Sequence, residues 1–88
     1  MSDRLEKIQL QLATLNPTAL ELIDESHKHA GHAGAAGGGG HYVLRIASTQ
    51  FIGKNTITRH RMIYLALGDL MKHDIHALTI QALAPNEI

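Results

Sequence analysis

The fold is set by the stretch Tyr42–Ser48 (YVLRIAS), in which side chains at alternate positions fall on two faces. Such alternation is typical of a β-strand, where successive side chains point to opposite faces of the sheet. The earlier segment Ala19–Asp24 (ALELID) alternates in the same way. Because one glycine-rich loop joins these two strands, the sequence predicts that they pair as an antiparallel hairpin.

A first helix is predicted before the hairpin. Ser2 can cap its start, and Asn16-Pro17 ends it, because a residue that precedes proline disfavours the helical conformation. The apolar positions of this helix recur at helical spacing and are Leu5, Ile8, Leu12 and Leu15.

A second helix is predicted after the hairpin, from a cap at Asn55 or Thr56 to about Lys72. Gly68 lies inside it, where glycine costs roughly 1 kcal/mol relative to alanine. We therefore expect tight packing around Gly68. The predicted apolar face of the helix consists of Ile57, Ile63, Tyr64, Leu67, Leu70 and Met71.

A third strand is predicted over Ala77–Leu83, where the alternation returns, and Pro85 ends it. The order of elements is then α-β-β-α-β. Because the third strand follows a helix, it can join the hairpin by a crossover. The result is an α+β fold in which both helices cover one face of a three-stranded sheet. The length of 88 residues predicts a single domain over residues 1–88.

The composition excludes several classes of function. The chain has no cysteine, so disulfide bonds and thiol chemistry are excluded. It has 8 Lys and Arg residues against 8 Asp and Glu residues, and this balance disfavours nonspecific nucleic-acid binding. No apolar run approaches membrane-spanning length, and the start Met1–Arg4 has no apolar segment of a secretion signal. We therefore expect a cytoplasmic protein without a membrane partner.

The histidines are the most unusual feature, since the chain contains 7 of them. The segment Ser26–Gly40 has no apolar periodicity, and we expect a mobile loop over about residues 27–40. His27, His29 and His32 lie in it, and their spacing in a glycine-rich backbone would allow them to surround a metal ion. A solvated polar loop explains the same spacing equally well, so both interpretations stay open.

Two further segments could carry function. Arg59 and Arg61 flank His60 near the start of the second helix and could bind an anion or nucleic acid. The alternative, which the spacing favours, is an exposed turn whose arginines pair with carboxylates. His76 lies where the second helix gives way to the third strand. A lone histidine at such a junction is more often a structural residue than a ligand.

Taken together and in order, these segments resemble the BolA family. The shared motifs span nearly the whole chain and are Leu20–Ser26 with the histidine-glycine loop, Gly40–Tyr42, Phe51–Lys54, Arg59–Met62 and His76–Ile80. The resemblance implies a fold related to the type II KH domain. This expectation agrees with the α-β-β-α-β order read from the residues themselves.

The resemblance also implies a partner, a monothiol glutaredoxin. Such a pair shares a [2Fe-2S] cluster, with glutathione, in iron–sulfur trafficking or iron sensing. By resemblance, His76 is one iron ligand and a loop histidine is the second. The family register selects His29 for that role, with His27 and His32 as alternatives. No enzymatic activity is expected, because the reductase role ascribed to relatives needs a thiol.

Transcriptional regulation through DNA binding is the alternative function that the family implies. Lys54, Arg59 and Arg61 would then contact phosphates. The zero net charge of the chain predicts weak, nonspecific binding. A homodimer is also left open.

Overall fold

The computed structural model describes residues 4–25 and 40–87 of the chain. Ser2 and residues 26–39 of the predicted loop lie outside the described residues. The helices are α1 (Arg4–Leu12), α2 (Thr56–Leu67) and α3 (Leu70–His73), and the strands are β1 (Ala19–Asp24), β2 (Gly40–Ala47) and β3 (Ile75–Leu83). Short 3-10 turns follow α1, β2 and β3, at Ala13–Leu15, Thr49–Phe51 and Pro85–Glu87.

The strands form one sheet in the order β1-β2-β3. β1 and β2 run antiparallel, with Leu20 opposite Ile46 and Leu22 opposite Leu44. β3 runs parallel to β2, because α2 and α3 return the chain to the end of the sheet where β2 begins. This topology confirms the predicted order and fold class, and β1 has the predicted bounds. β2 and β3 begin earlier than predicted, since their backbone pairing extends beyond the alternating apolar pattern.

The core lies between the helices and one face of the sheet. α1 packs over β1, and α2 packs over β3. In the described part of the chain, the opposite face of the sheet exposes Glu21, Arg45 and Thr79. The buried cluster consists of Ile8, Leu12, Leu15, Tyr42, Leu44, Ile46, Phe51, Ile63, Leu67 and Ile75.

The second helix ends at Leu67 rather than near Lys72. Gly68 has a φ of +56°, a conformation that residues with a side chain rarely adopt, so helical hydrogen bonding stops there. The chain turns and begins the short α3 at Leu70. The predicted tight packing at Gly68 is wrong, because a Cβ there would meet only the backbone oxygen of Leu65, at 4.0 Å. The backbone conformation, not packing, requires the glycine.

The apolar face of α2 also differs from the prediction. Ile63 and Leu67 are fully buried, but the side chains of Ile57 and Tyr64 are 64% and 42% exposed. Arg59 takes part in the buried face instead, because it lies one helical turn before Ile63. The helix therefore places a charged side chain where the sequence pattern predicts none.

Candidate functional site

His76 lies at an irregularity in the pairing of β2 with β3. Gly40 pairs with Ile75 and His41 pairs with Ala77, so His76 is the extra residue of a β-bulge. Bulges redirect a side chain out of the regular alternation of a strand. His76 is exposed. A well-packed sheet therefore presents this imidazole to solvent at the start of β3.

His41 lies beside His76. The centroids of the two imidazole rings are 5.0 Å apart, and the ring planes are inclined by 43°. The sequence interpretation singled out His76 but did not bring His41 to it. Both residues are near the starts of strands, and parallel pairing of β2 with β3 places those starts side by side. A sequence prediction that β2 and β3 pair in parallel would therefore have placed His41 beside His76.

The residues that flank the histidine-rich segment lie at the same end of the sheet. Asp24 pairs with Tyr42 in the last step of the hairpin, and the Glu25 N–H donates to the His41 carbonyl at 2.8 Å. The Gly40 N–H donates to the Asp74 carbonyl at 3.1 Å. The two described residues that flank this segment, Glu25 and Gly40, therefore lie next to His41. The predicted ligands His27, His29 and His32 lie outside the described residues.

Tyr42 closes the core beneath this end of the sheet. Burial raises the pKa of its phenol, and Asp24 and Asp74 raise it further, while a hydrogen bond from Arg4 lowers it. The phenol consequently stays protonated at neutral pH. A Cβ at Gly40 would lie 2.5 Å from the Tyr42 hydroxyl oxygen, so only glycine fits there without displacing the ring.

Arg59 is 9% exposed and forms an ion pair with Glu87, whose side chain is 41% exposed. Its two terminal nitrogens donate to the carboxylate of Glu87, at 2.6 Å and 3.0 Å. The same guanidinium donates to the carbonyls of Lys54, at 2.9 Å, and Ala82, at 3.0 Å. Arg59 therefore ties the start of α2 to β3 and to the turn after it. The predicted carboxylate pairing is thus found for Arg59, but on a buried side chain rather than in an exposed turn.

Lys54 and Arg61 are the exposed members of the predicted nucleic-acid group. Lys54 precedes the cap residue Asn55, whose side-chain oxygen accepts the Thr58 N–H at 2.8 Å. The cap confirms the predicted start of α2. Because Arg59 is engaged with Glu87, Lys54 and Arg61 are the members of this predicted group that remain to meet a phosphate backbone.

Glu87 makes the stability of the protein depend on pH. The hydrogen bonds from Arg59 lower the pKa of its carboxyl from 4.5 to about 2, and the Ala84 N–H adds to this effect. A carboxyl with a depressed pKa stabilises the fold fully above its unfolded value and loses that contribution as the pH falls through the folded value. We expect Glu87→Gln to lower Tm at neutral pH, and the deficit to shrink as the pH falls from 4.5 to about 2.

The measurement is thermal unfolding of the parent and the variant at a series of pH values. Glu21→Gln, which changes an exposed carboxylate on β1, is the matched control. A Glu87→Gln deficit that stays constant down to pH 2 would contradict a stabilising role for the ionised Glu87 carboxylate.

Within residues 4–25 and 40–87, no cluster of three or more His, Asp or Glu side chains is arranged to hold a metal ion. His41 and His76 would thus need further donors from the histidine-rich segment or from a partner. None of the helices in these two ranges is long and apolar enough to span a membrane.

Comparison with known proteins assigns the family. A profile described as BolA-like protein matches residues 12–87. The chain is 43% identical over 88 residues to the chloroplastic/mitochondrial SufE-like protein 1 of Arabidopsis thaliana. The match covers 94% of this chain and 23% of that protein. It is 36% identical over 76 residues to the DNA-binding transcriptional regulator BolA of Escherichia coli, with 85% of this chain and 70% of that protein covered.

Solved structures support the same assignment. The BolA domain of SufE1 from Arabidopsis thaliana superposes with a TM-score of 0.84 at 41% identity, covering 100% of this chain and 99% of that one. BolA1 from the same plant superposes with a TM-score of 0.83 at 29% identity, with 100% and 99% covered. The chain spans about half of the curated BolA1 protein, at 51%, and less of SufE-like protein 1. The profile, the relatives and the fold agree, and the chain belongs to the BolA-like protein family.

Proposed function

We propose that this BolA-like protein binds a [2Fe-2S] cluster together with a monothiol glutaredoxin and glutathione, in iron–sulfur trafficking or iron sensing. The observation that carries the proposal is the position of His76. His76 is exposed on a bulge, beside His41. The residues that flank the histidine-rich segment lie at the same end of the sheet. A partner docked at this end could meet several imidazoles at once.

The donor chemistry fits such a cluster. Imidazole replaces thiolate on one iron of Rieske centres and raises the reduction potential. This chain has 7 histidines and no cysteine, so the glutaredoxin and glutathione would supply the thiolates. The chain itself would hold one iron through His76 and a loop histidine, for which we propose His29. Its role is to position these imidazoles, and the cluster is the cargo of the pair.

The length of the chain permits His29 to reach His76. Neighbouring strands lie about 4.8 Å apart, so the end of β1 is roughly 10 Å from the start of β3, two strands away. Four residues of extended chain span up to about 14 Å. His29 follows Glu25, the last described residue before the segment, by that interval.

Reconstitution tests the proposal directly. The protein is mixed with a monothiol glutaredoxin, glutathione, iron and sulfide, and the visible circular dichroism is compared with that of the glutaredoxin alone. We expect a distinct spectrum, because an imidazole ligand changes the electronic environment of one iron. A spectrum identical to that of the glutaredoxin alone would remove the proposal.

Among the loop histidines, we expect His29→Ala to shorten the cluster lifetime most. A ligand close to β1 requires fewer residues to be ordered, at roughly 1–2 kcal/mol each, which disfavours His32. His27→Ala and His32→Ala should have smaller effects, since a neighbouring imidazole can substitute. Acid should also release the cluster, because protonated imidazole cannot ligate iron. Lifetimes of the three variants decide the order, and a largest effect at His32 would refute the assignment.

DNA binding is the second candidate function. Two observations favour it: Lys54 and Arg61 are exposed near the start of α2, and the related Escherichia coli protein is named a DNA-binding transcriptional regulator. The zero net charge of the chain limits the electrostatic attraction that such binding could use. We propose it as a weak, nonspecific activity. A cytoplasmic location and the absence of catalysis stay predictions.

The salt dependence of DNA affinity measures this activity. Each lost phosphate contact lowers the logarithmic salt slope by roughly 0.9, so the double variant Lys54→Ala/Arg61→Ala should lower it by about 1.8. The double variant Lys7→Ala/Lys72→Ala removes the same charge elsewhere and should leave the slope near that of the parent. Tight, sequence-dependent binding at about 150 mM salt would instead make DNA the principal ligand.

A further inference from the structure

The two outer strands of the sheet differ in how they are protected against pairing with a strand of another chain. β1 carries Glu21 and Asp24, and charged side chains on an outer strand discourage pairing with another chain. β3 (IHALTIQAL) has no charged residue and no proline over its 9 residues. Such a strand is a template for pairing unless something covers its free edge.

The hydrogen bonds show which groups of β3 face outward. The Ser48 N–H donates to the Leu83 carbonyl at 3.0 Å, so the odd-numbered residues after the bulge face β2 and the even-numbered residues face away. At the far end, Arg59 donates to the Ala82 carbonyl and the Ala84 N–H donates to Glu87. The Arg59–Glu87 ion pair thus covers the end of the outer edge.

Leu78 and Ile80 form the remaining outward section. Within the described ranges, their outward N–H and C=O groups have no hydrogen-bond partner, and no strand lies beyond β3. Their side chains are half-buried on the face that the helices cover. This short stretch, from Leu78 to Ile80, is the open section of the edge.

We propose that the open section pairs with the same section of a second copy of the chain, antiparallel and centred on Thr79. In this register Leu78 lies opposite Ile80 of the second copy, and Thr79 lies opposite Thr79. The outward-facing residues then form hydrogen-bonded pairs, in which each residue exchanges both of its backbone bonds. The two sheets join into one continuous sheet.

The second copy fits because the section is its own complement. Leu78 meets Ile80 on the helix-covered face, which gives the apolar cross-strand contact that stabilises antiparallel pairs. No charge lies on β3 to repel its counterpart across the two-fold axis. The Arg59–Glu87 ion pair occupies the edge at Ala82 and Ala84, so a longer foreign strand would have to break it. This pairing is independent of cluster binding.

The histidine sites stay accessible in this dimer. His76 of one copy lies opposite Ala82 of the other, so the two His76 residues are separated by roughly 20 Å along the paired strands. Each site therefore faces its own end of the joined sheet, and a partner can dock at both.

Charge variants at Thr79 test the register. Thr79 is exposed, so Thr79→Lys and Thr79→Glu should fold, yet each places like charges opposite one another and should give a monomer. Mixing the two variants should restore the dimer, because opposite charges then meet. Gln9→Lys and Gln9→Glu, on exposed α1, are the controls and should dimerise like the parent. Sedimentation equilibrium across a wide range of protein concentrations gives the molecular mass.

A cysteine reporter tests the same contact covalently. The chain has no cysteine, so Thr79→Cys introduces a unique thiol. Directly opposed residues at such a position have Cβ atoms about 4.5 Å apart, close to disulfide geometry. We expect oxidation to link this variant on the order of 10-fold faster than Gln9→Cys, since pairing raises the effective thiol concentration. A parent that is monomeric at every concentration, or equal linking rates, would overturn the proposal and leave the edge to a strand of another protein.

Discussion

His76→Ala is expected to abolish the circular dichroism signature that distinguishes the mixed cluster complex from glutaredoxin alone. The imidazole is exposed on a bulge, so its removal takes away a proposed iron ligand and little packing. We expect the free energy of unfolding to change by less than about 0.5 kcal/mol, as for other exposed side chains. Far-ultraviolet circular dichroism and urea unfolding verify that the fold is retained.

The matched control is His73→Ala, which removes another exposed imidazole from the end of α3, a few residues upstream. This variant should give the same cluster spectrum as the parent. If His76→Ala also leaves the spectrum unchanged, His76 is a structural residue and the proposed ligand set is wrong.

Phe51→Ala is expected to cause the largest loss of stability in the molecule. Phe51 is 0% exposed and belongs to the buried core cluster, which includes residues of the sheet and of both longer helices. Truncation of a buried phenylalanine costs about 3–5 kcal/mol, since the cavity that remains closes only in part. Small domains have a total stability of about 5–15 kcal/mol, so such a loss is a large share of it.

Urea unfolding at low temperature measures this loss. Ile52→Ala is the control, because Ile52 is the next residue and is 56% exposed, so its truncation should cost well under 1 kcal/mol. Phe51→Leu keeps most of the buried volume and should fall between the two. Equal losses for Phe51→Ala and Ile52→Ala would show that Phe51 is not part of the core.

The strands could be predicted because their signals are local. β1 lies between Pro17 and the histidine-rich segment, and its alternation identifies both ends. The start of α2 could also be predicted, since asparagine, found at position 55, is a residue type that caps helices. The end of α2 was not. Apolar residues continue at helical spacing past Gly68, and only its positive φ stops the helix.

The site was predicted only in part, because its contacts join distant residues. His76 could be singled out from its place before a strand, but its neighbour His41 depends on the parallel register of β2 and β3. The local sequence does not distinguish Arg59 from Arg61, since both flank His60. Its burial depends on Glu87, 28 residues later in the chain, which no local pattern reveals.

The bulge at His76 separates chemistry from folding. Because the pairing of β2 with β3 passes over this one residue, the face that Leu78 and Ile80 occupy does not depend on which side chain stands there. Evolution could therefore exchange the histidine for another metal-binding or inert residue while the hydrophobic pattern of the strand stayed intact. In protein design, this position could likewise receive a different metal-binding side chain while the rest of the scaffold stays unaltered.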